Sequence, residues 1–263
     1  MSIRASIVAL GAAAAMAAAT PAVAAGNLIV NGDFEQTVDP ITGTNLTSST
    51  QATTKNIVGW SSTGYNFIYL PSATATSGTT ADTTGAYTPE YTGRVQLWGP
   101  DNGSANGLTV SPTGGNFIGA DNNFEQGAVT QTITGLSAGA KYLLTFYWAA
   151  GQQSGFGGPT TENFKVRFGS QSFTTETVST PSHGFTPWTK VTYGFNATAS
   201  SQVLSFLAAG TPGGSPPFSL LDGVSLTAAP EPATWAVMLA GLAGVGLLVR
   251  RRRTPAAPNA VAA

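Results

Sequence analysis

Apolar residues alternate with polar ones through most of the middle of the chain. Tyr142, Leu144, Phe146 and Trp148 share one face of Lys141–Trp148 at a period of two, the mark of a strand buried on one side. Phe164, Val166 and Phe168 alternate with Lys165 and Arg167, and Val191, Tyr193 and Phe195 alternate with Lys190, Thr192 and Gly194. Leu204 and Phe206 continue the pattern. Further strands are expected at Leu28–Phe34, Asn56–Trp60, Tyr65–Leu70, Arg94–Trp98, Asn116–Gly119, Val129–Thr134 and Phe218–Leu226. Clusters of Gly, Pro, Asn and Ser separate them. Residues 72–86 are a low-complexity Ser/Thr/Ala stretch that reads as a long loop, and Asp101–Gly107 and Gly151–Pro159 read as loops too. No amphipathic helix is evident between residues 26 and 229. So many strands at this spacing predict an all-β fold, a single β-sandwich of jelly-roll type over residues 26–228.

The two ends break this pattern. Near the N-terminus Arg4 precedes an Ala-rich apolar run, Ile7–Ala19, then Thr20-Pro21 and the small-residue site Ala22-Val23-Ala24. That order predicts a secretory signal peptide over residues 1–25, cut after Ala24 or Ala25 by signal peptidase on export through the Sec machinery. A retained N-terminal membrane anchor is the alternative. Near the C-terminus, residues 233–249 carry no charge and approach the length that crosses a bilayer. Arg250, Arg251, Arg252 and Arg253 follow at once and hold that side in the cytoplasm. Pro230 and Pro232 flank Glu231 and keep the backbone before the span extended.

The order Pro230-Glu231-Pro232, one apolar span, then Arg250–Arg253 closely resembles the PEP-CTERM sorting signal of Gram-negative bacteria. The resemblance covers residues 230–253. It implies an exosortase as processing partner, a transient stay in the inner membrane, and release to the cell surface or an exopolysaccharide matrix. Thr254–Ala263 extend past the arginines as a short tail, whereas members of the family usually end within a few residues. An ordinary single-span membrane protein that is never cleaved is the alternative.

Charge narrows the partners. Charged residues make up 9% of the chain, against about 25% in an average soluble protein. Five of the 11 basic residues are Arg4 and Arg250–Arg253. The sandwich therefore keeps six bases against eleven acids and has no basic cluster, which argues against nucleic acid as a partner. The absence of Cys removes disulfides, thiolate metal sites and Cys nucleophiles.

Catalytic signals are weak. His183, the only histidine, sits in Pro181-Ser-His-Gly-Phe and reads as a solvated loop residue. Gly135-Leu-Ser-Ala-Gly139 has the G-x-S-x-G spacing, but no helical pattern follows it to make a nucleophile elbow. No pair of carboxylates stands out for glycoside hydrolysis, although eleven acids leave that pairing open. The expectation is a non-enzymatic structural or binding protein. A dedicated carbohydrate-binding protein is the alternative, and a secreted glycoside hydrolase a more distant one. Trp60, Tyr65, Tyr69, Trp98 and Trp188 are the aromatics that could stack on a sugar ring, with core packing as the competing role for each; Trp148 is assigned to the core.

Three segments carry a second resemblance: Asn27-Leu-Ile-Val-Asn-Gly-Asp-Phe-Glu35 with Gly59-Trp60, then Gln131–Tyr142, then Leu221-Asp-Gly-Val-Ser-Leu226. Together they look like the galactose-binding-like jelly roll of carbohydrate-binding modules. That resemblance implies an exopolysaccharide or other glycan as partner, with Trp60, Trp98 and Trp188 as sugar-binding candidates. It also implies a structural calcium near the paired first and last strands, with Asp33, Glu35 and Asp222 as candidate ligands. A capped turn at Asp33 and a hydrogen bond from backbone amides to Asp222 are the competing roles.

Overall fold

A computed structural model describes residues 26–36, 57–62, 64–69, 95, 97–99, 103–124, 126–230 and 240–243. The expected signal peptide with its Ala24 and Ala25 cleavage site, the loop at 72–86, and Glu231, Pro232 and Arg250–Arg253 lie outside the described residues. Residues 240–243 are helical. Among the described residues no helix is long and apolar enough to cross a membrane. Residues 25–229 form one compact unit, and the two chain ends are grouped in another.

The first unit is a jelly-roll β-sandwich of two antiparallel sheets. Its strands are β1 (Ser61–Ser62), β2 (Asn66–Tyr69), β3 (Phe117–Asp121), β4 (Val129–Thr134), β5 (Lys141–Gln152), β6 (Thr160–Phe168), β7 (Gln171–Thr174), β8 (Val178–Thr180), β9 (Phe185–Asn196), β10 (Ser201–Thr211) and β11 (Pro217–Ala228). One sheet runs β1-β4-β10-β6-β7, with β8 also on β6. The other runs β2-β3-β11-β5-β9.

The period-two faces meet as the sequence predicts. Leu144, Phe146 and Trp148 of β5 face Phe164, Val166 and Phe168 of β6 and Leu204 and Phe206 of β10 in the main core. Phe206 sits at its centre, edge-on to Phe146 at 5.1 Å and to Phe164 at 6.0 Å. Such edge-to-face pairs stabilise beyond their buried area by about 0.5–1.5 kcal/mol.

A second core lies on the opposite face of the β2-β3-β11-β5-β9 sheet. Phe67, Tyr69, Phe117, Ala149, Phe218 and Leu220 point that way and are covered by Val95, Leu97 and Leu108. Both faces of this sheet are therefore apolar over half its length. This explains why β5 and β11 turn from alternating to wholly buried near that end. Gly119 belongs to the same packing: a Cβ there would meet Tyr69 Cε2 at 2.3 Å, so the glycine makes room for the phenol ring stacked on Phe117.

Several sequence expectations shift. Leu28–Phe34 is not a regular strand, because Asn31 and Phe34 take positive φ angles of 52° and 56°. The segment still lies along β11, joined by Leu28 N–H to Leu226 O and Val224 N–H to Gly32 O. The Gln131 amide bonds both the N–H and the C=O of Val30, standing in for a neighbouring strand. In place of strands at Asn56–Trp60 and Arg94–Trp98 there are β1 and an isolated bridge from Leu97 to Gln153; Asn56, Arg94 and Gln96 lie outside the described residues. Two short strands, β7 and β8, add an unexpected edge to β6.

Candidate functional site

Both ends of the sandwich chain lie at one pole, where Asn27 Oδ1 accepts from Leu226 N–H and Ala229 N–H donates to Lys141 O. The opposite pole, at the far end of β11 and roughly 35–40 Å of strand away, carries a cleft of about 400 Å³. Tyr65, Phe124 and Phe156 supply its apolar wall, Asp121, Asn123 and Gln153 its polar groups, and residues 214–216 close it.

Each wall is held by local chemistry. Asp121 ends β3, and its Oδ1 accepts from the N–H groups of Asn123 and Phe124, both at 2.7 Å. That Asx turn throws Phe124 outward, where it is 68% exposed. Its ring stays edge-on to Tyr65 at 5.5 Å. Asn122 pins the turn from below, donating to Ala209 O and Ser219 Oγ and accepting from Ser219 N–H.

The opposite wall is the loop 153–159, with Phe156 39% exposed. Four neighbours hold it. Trp98 Nε1–H donates to Phe156 O at 2.6 Å, Ser215 Oγ–H to Gly157 O at 2.7 Å, and Gln152 Nε2–H to Gly158 O at 3.1 Å. Ser182 Oγ accepts from Gly158 N–H at 2.8 Å. Trp98 also stacks on His183, ring centroids 4.0 Å apart. The His183 backbone is tied to Gln152, Ser104 and Asn106. His183 is thus half-buried in a clamp, not solvated as its loop context suggested. No Lys, Arg or His lines the cleft among the described residues.

The predicted tryptophans do not form one platform. Trp60 is 3% exposed and packs on Phe34 and Phe206 in the main core, so its assignment to sugar binding is corrected. Its Nε1–H is spent on Asn31 O. Trp188 donates to Thr109 O and meets Phe117 edge-on, capping the second core. Tyr69 is buried in that core. Trp98 adjoins the cleft through Phe156, Tyr65 lines it, and Trp148 is in the core as expected. Phe124 and Phe156 were missed. The available signal was a lone aromatic in a polar or Gly-rich turn, Asn-Asn-Phe-Glu and Ser-Gly-Phe-Gly.

At the other candidate site Glu35 and Asp222 approach each other, but Asp33 does not complete a set of three. No group of three His, Cys, Asp or Glu that could hold a metal occurs among the described residues. Asp33 is exposed on a polar hollow beside Asn31 and Gln36. Asp222 is buried, and burial pushes its carboxyl up to about 7. Hydrogen bonds from Ser111, Thr113 and Gly223 oppose that shift, and the Glu35 charge adds to it. Glu35 accepts from Asn116 N–H, and Thr113 Oγ1–H donates to Asp222. Two carboxylates with adjacent hydroxyl oxygens fit a hard cation in kind.

Residues 228–253 match the model of the PEP-CTERM protein-sorting motif. Halomucin of Haloquadratum walsbyi is 26% identical over 209 residues, 78% of this chain; the match spans 2% of that protein's length. Solved structures with similar folds include TmCBM61 in complex with beta-1,4-galactotriose, at 14% identity over 78% of this chain and 99% of that one, TM-score 0.38. The CBM22-1 xylan-binding domain from Paenibacillus barcinonensis Xyn10C matches at 10% identity over 80% and 99%, TM-score 0.37. A CBM4 structure matches at 18% identity over 76% and 99%, TM-score 0.33.

Proposed function

We propose that this protein is exported, processed at its C-terminal motif by an exosortase, and held at the cell surface or in an exopolysaccharide matrix, where it binds glycan without turning it over. The observation that carries the binding reading is the cleft at the pole of the sandwich opposite Ala229. Aromatic faces there suit the C–H face of a sugar ring, and amides and a carboxylate beside them suit its hydroxyls. Among the described residues Asp121 is the one carboxylate lining the cleft, and glycoside hydrolysis ordinarily uses two facing each other, which favours binding over catalysis.

Calcium belongs to this reading as a structural ion. Glu35, Asp222 and the Thr113 hydroxyl would hold it, and its charge would relieve the repulsion between the two carboxylates.

Affinity electrophoresis in gels containing neutral polysaccharides tests the binding role. The protein should be retarded by at least one of them. Phe124→Ala should remove the retardation without lowering the melting temperature, since the ring is largely exposed. Retardation unaffected by Phe124→Ala would exclude the cleft.

A further inference from the structure

Resting on the glycan reading of this cleft, we infer that it recognises the end of a neutral glycan, about one or two sugar rings deep, and not an internal stretch of chain. Three observations converge. The first is charge. Asp121 lines the cleft with the amides of Asn123 and Gln153, and no cationic side chain joins them among the described residues. A uronate or sulfated sugar would bring a negative charge beside the Asp121 carboxylate, and the described lining offers that sugar no cationic partner.

The second is size. About 400 Å³ lies at the small end of ligand sites, which suits a short saccharide. The third is what surrounds the cleft. A long chain leaving it would need a trough, and the neighbouring face of the β2-β3-β11-β5-β9 sheet is the natural one. That face is filled: Phe67, Phe117, Phe218 and Leu220 are buried under Leu97 and Leu108, with Trp188 sealing the side. The 153–159 loop does not readily swing aside to extend the site, because Trp98, Gln152, Ser182 and Ser215 hold it at four points. A glycan chain therefore meets the pole end-on, with its terminal ring between Phe124 and Phe156 and the remainder in solvent.

The test is calorimetric titration of the full protein with gluco-, galacto- and xylo-oligosaccharides of one to six residues, and with oligogalacturonates of the same lengths. At least one neutral series should bind, with affinity changing by less than about threefold from trimer to hexamer and with the uronates weaker throughout. A larger gain from trimer to hexamer, or uronates binding as well as neutral sugars, would overturn the end-recognition inference while leaving glycan binding intact. Binding to none of the series would overturn both.

Discussion

Glu162 offers a quantitative check on the sandwich. It lies on β6 with the same parity as Phe164, Val166 and Phe168, so its carboxyl points inward and is fully buried. Thr180 Oγ1–H donates to Oε2 at 2.7 Å, while Oε1 has no hydrogen-bond partner. Burial raises the carboxyl from 4.5 to about 7, with the nearby Thr160 hydroxyl and the Thr180 hydrogen bond pulling the other way. A raised carboxyl makes the folded state hold its proton longer than the unfolded one. Below about pH 4.5 both states are protonated and the group has no pH effect. Between pH 4.5 and 7 the unfolded chain releases its proton first, so stability falls as pH rises. Above pH 7 the loss is complete and constant. At about 1.4 kcal/mol per pH unit the loss comes to about 3 kcal/mol. Glu162→Gln keeps the shape of the protonated form and removes the titration. Urea denaturation of both proteins across pH 4.5 to 8 should show the variant gaining about 3 kcal/mol on the wild type as pH rises, then running parallel. Differences that stay level across that range, or that shrink with rising pH, would refute the burial argument.

Trp98→Phe keeps a ring against His183 but deletes the bond to Phe156 O; glycan affinity should fall about fivefold, one hydrogen bond's worth, and limited proteolysis within 153–159 should quicken. Unchanged affinity would mean the loop holds its place without Trp98. Gly119→Ala drives a methyl into the Tyr69 ring and should cost about 1–3 kcal/mol in denaturant titration. Tyr69→Leu in the same chain should return part of that loss, and simple additivity would contradict the packing described. Millimolar calcium should raise the melting temperature of the wild type and leave Glu35→Gln nearly unmoved; no rise in the wild type would remove the ion from the account.

Much of the sandwich was legible because strand parity survives any tertiary context. Val129–Thr134 was delimited correctly, and Phe164, Val166 and Phe168 pointed inward as alternation required. The same parity places Glu162 in the core, a buried acid readable from Thr-Glu-Asn-Phe had the pattern been carried one step further back. Leu28–Phe34 was misread as a strand because positive φ at Asn31 and Phe34 comes from side-chain bonding across the fold. Asn31 alone ties Gln36 and Val58 together. Tryptophans misled for a related reason. In a sheet covered on both faces, an outward-facing aromatic can be as buried as an inward one, as Tyr69 and Phe117 show. Exposure is decided by where Val95, Leu97 and Leu108 fall, which local sequence does not encode. Isolated aromatics in polar turns, Phe124 and Phe156, stay exposed among the described residues.

Sorting is the step on which the cellular role rests, and intact mass measurement on protein recovered from outside the cell tests it most directly. The account predicts a chain whose N-terminus begins near Gly26 and whose C-terminus lies at about Pro232, with residues 233–263 gone. Extracellular protein that still carries Arg250–Arg253 would contradict it.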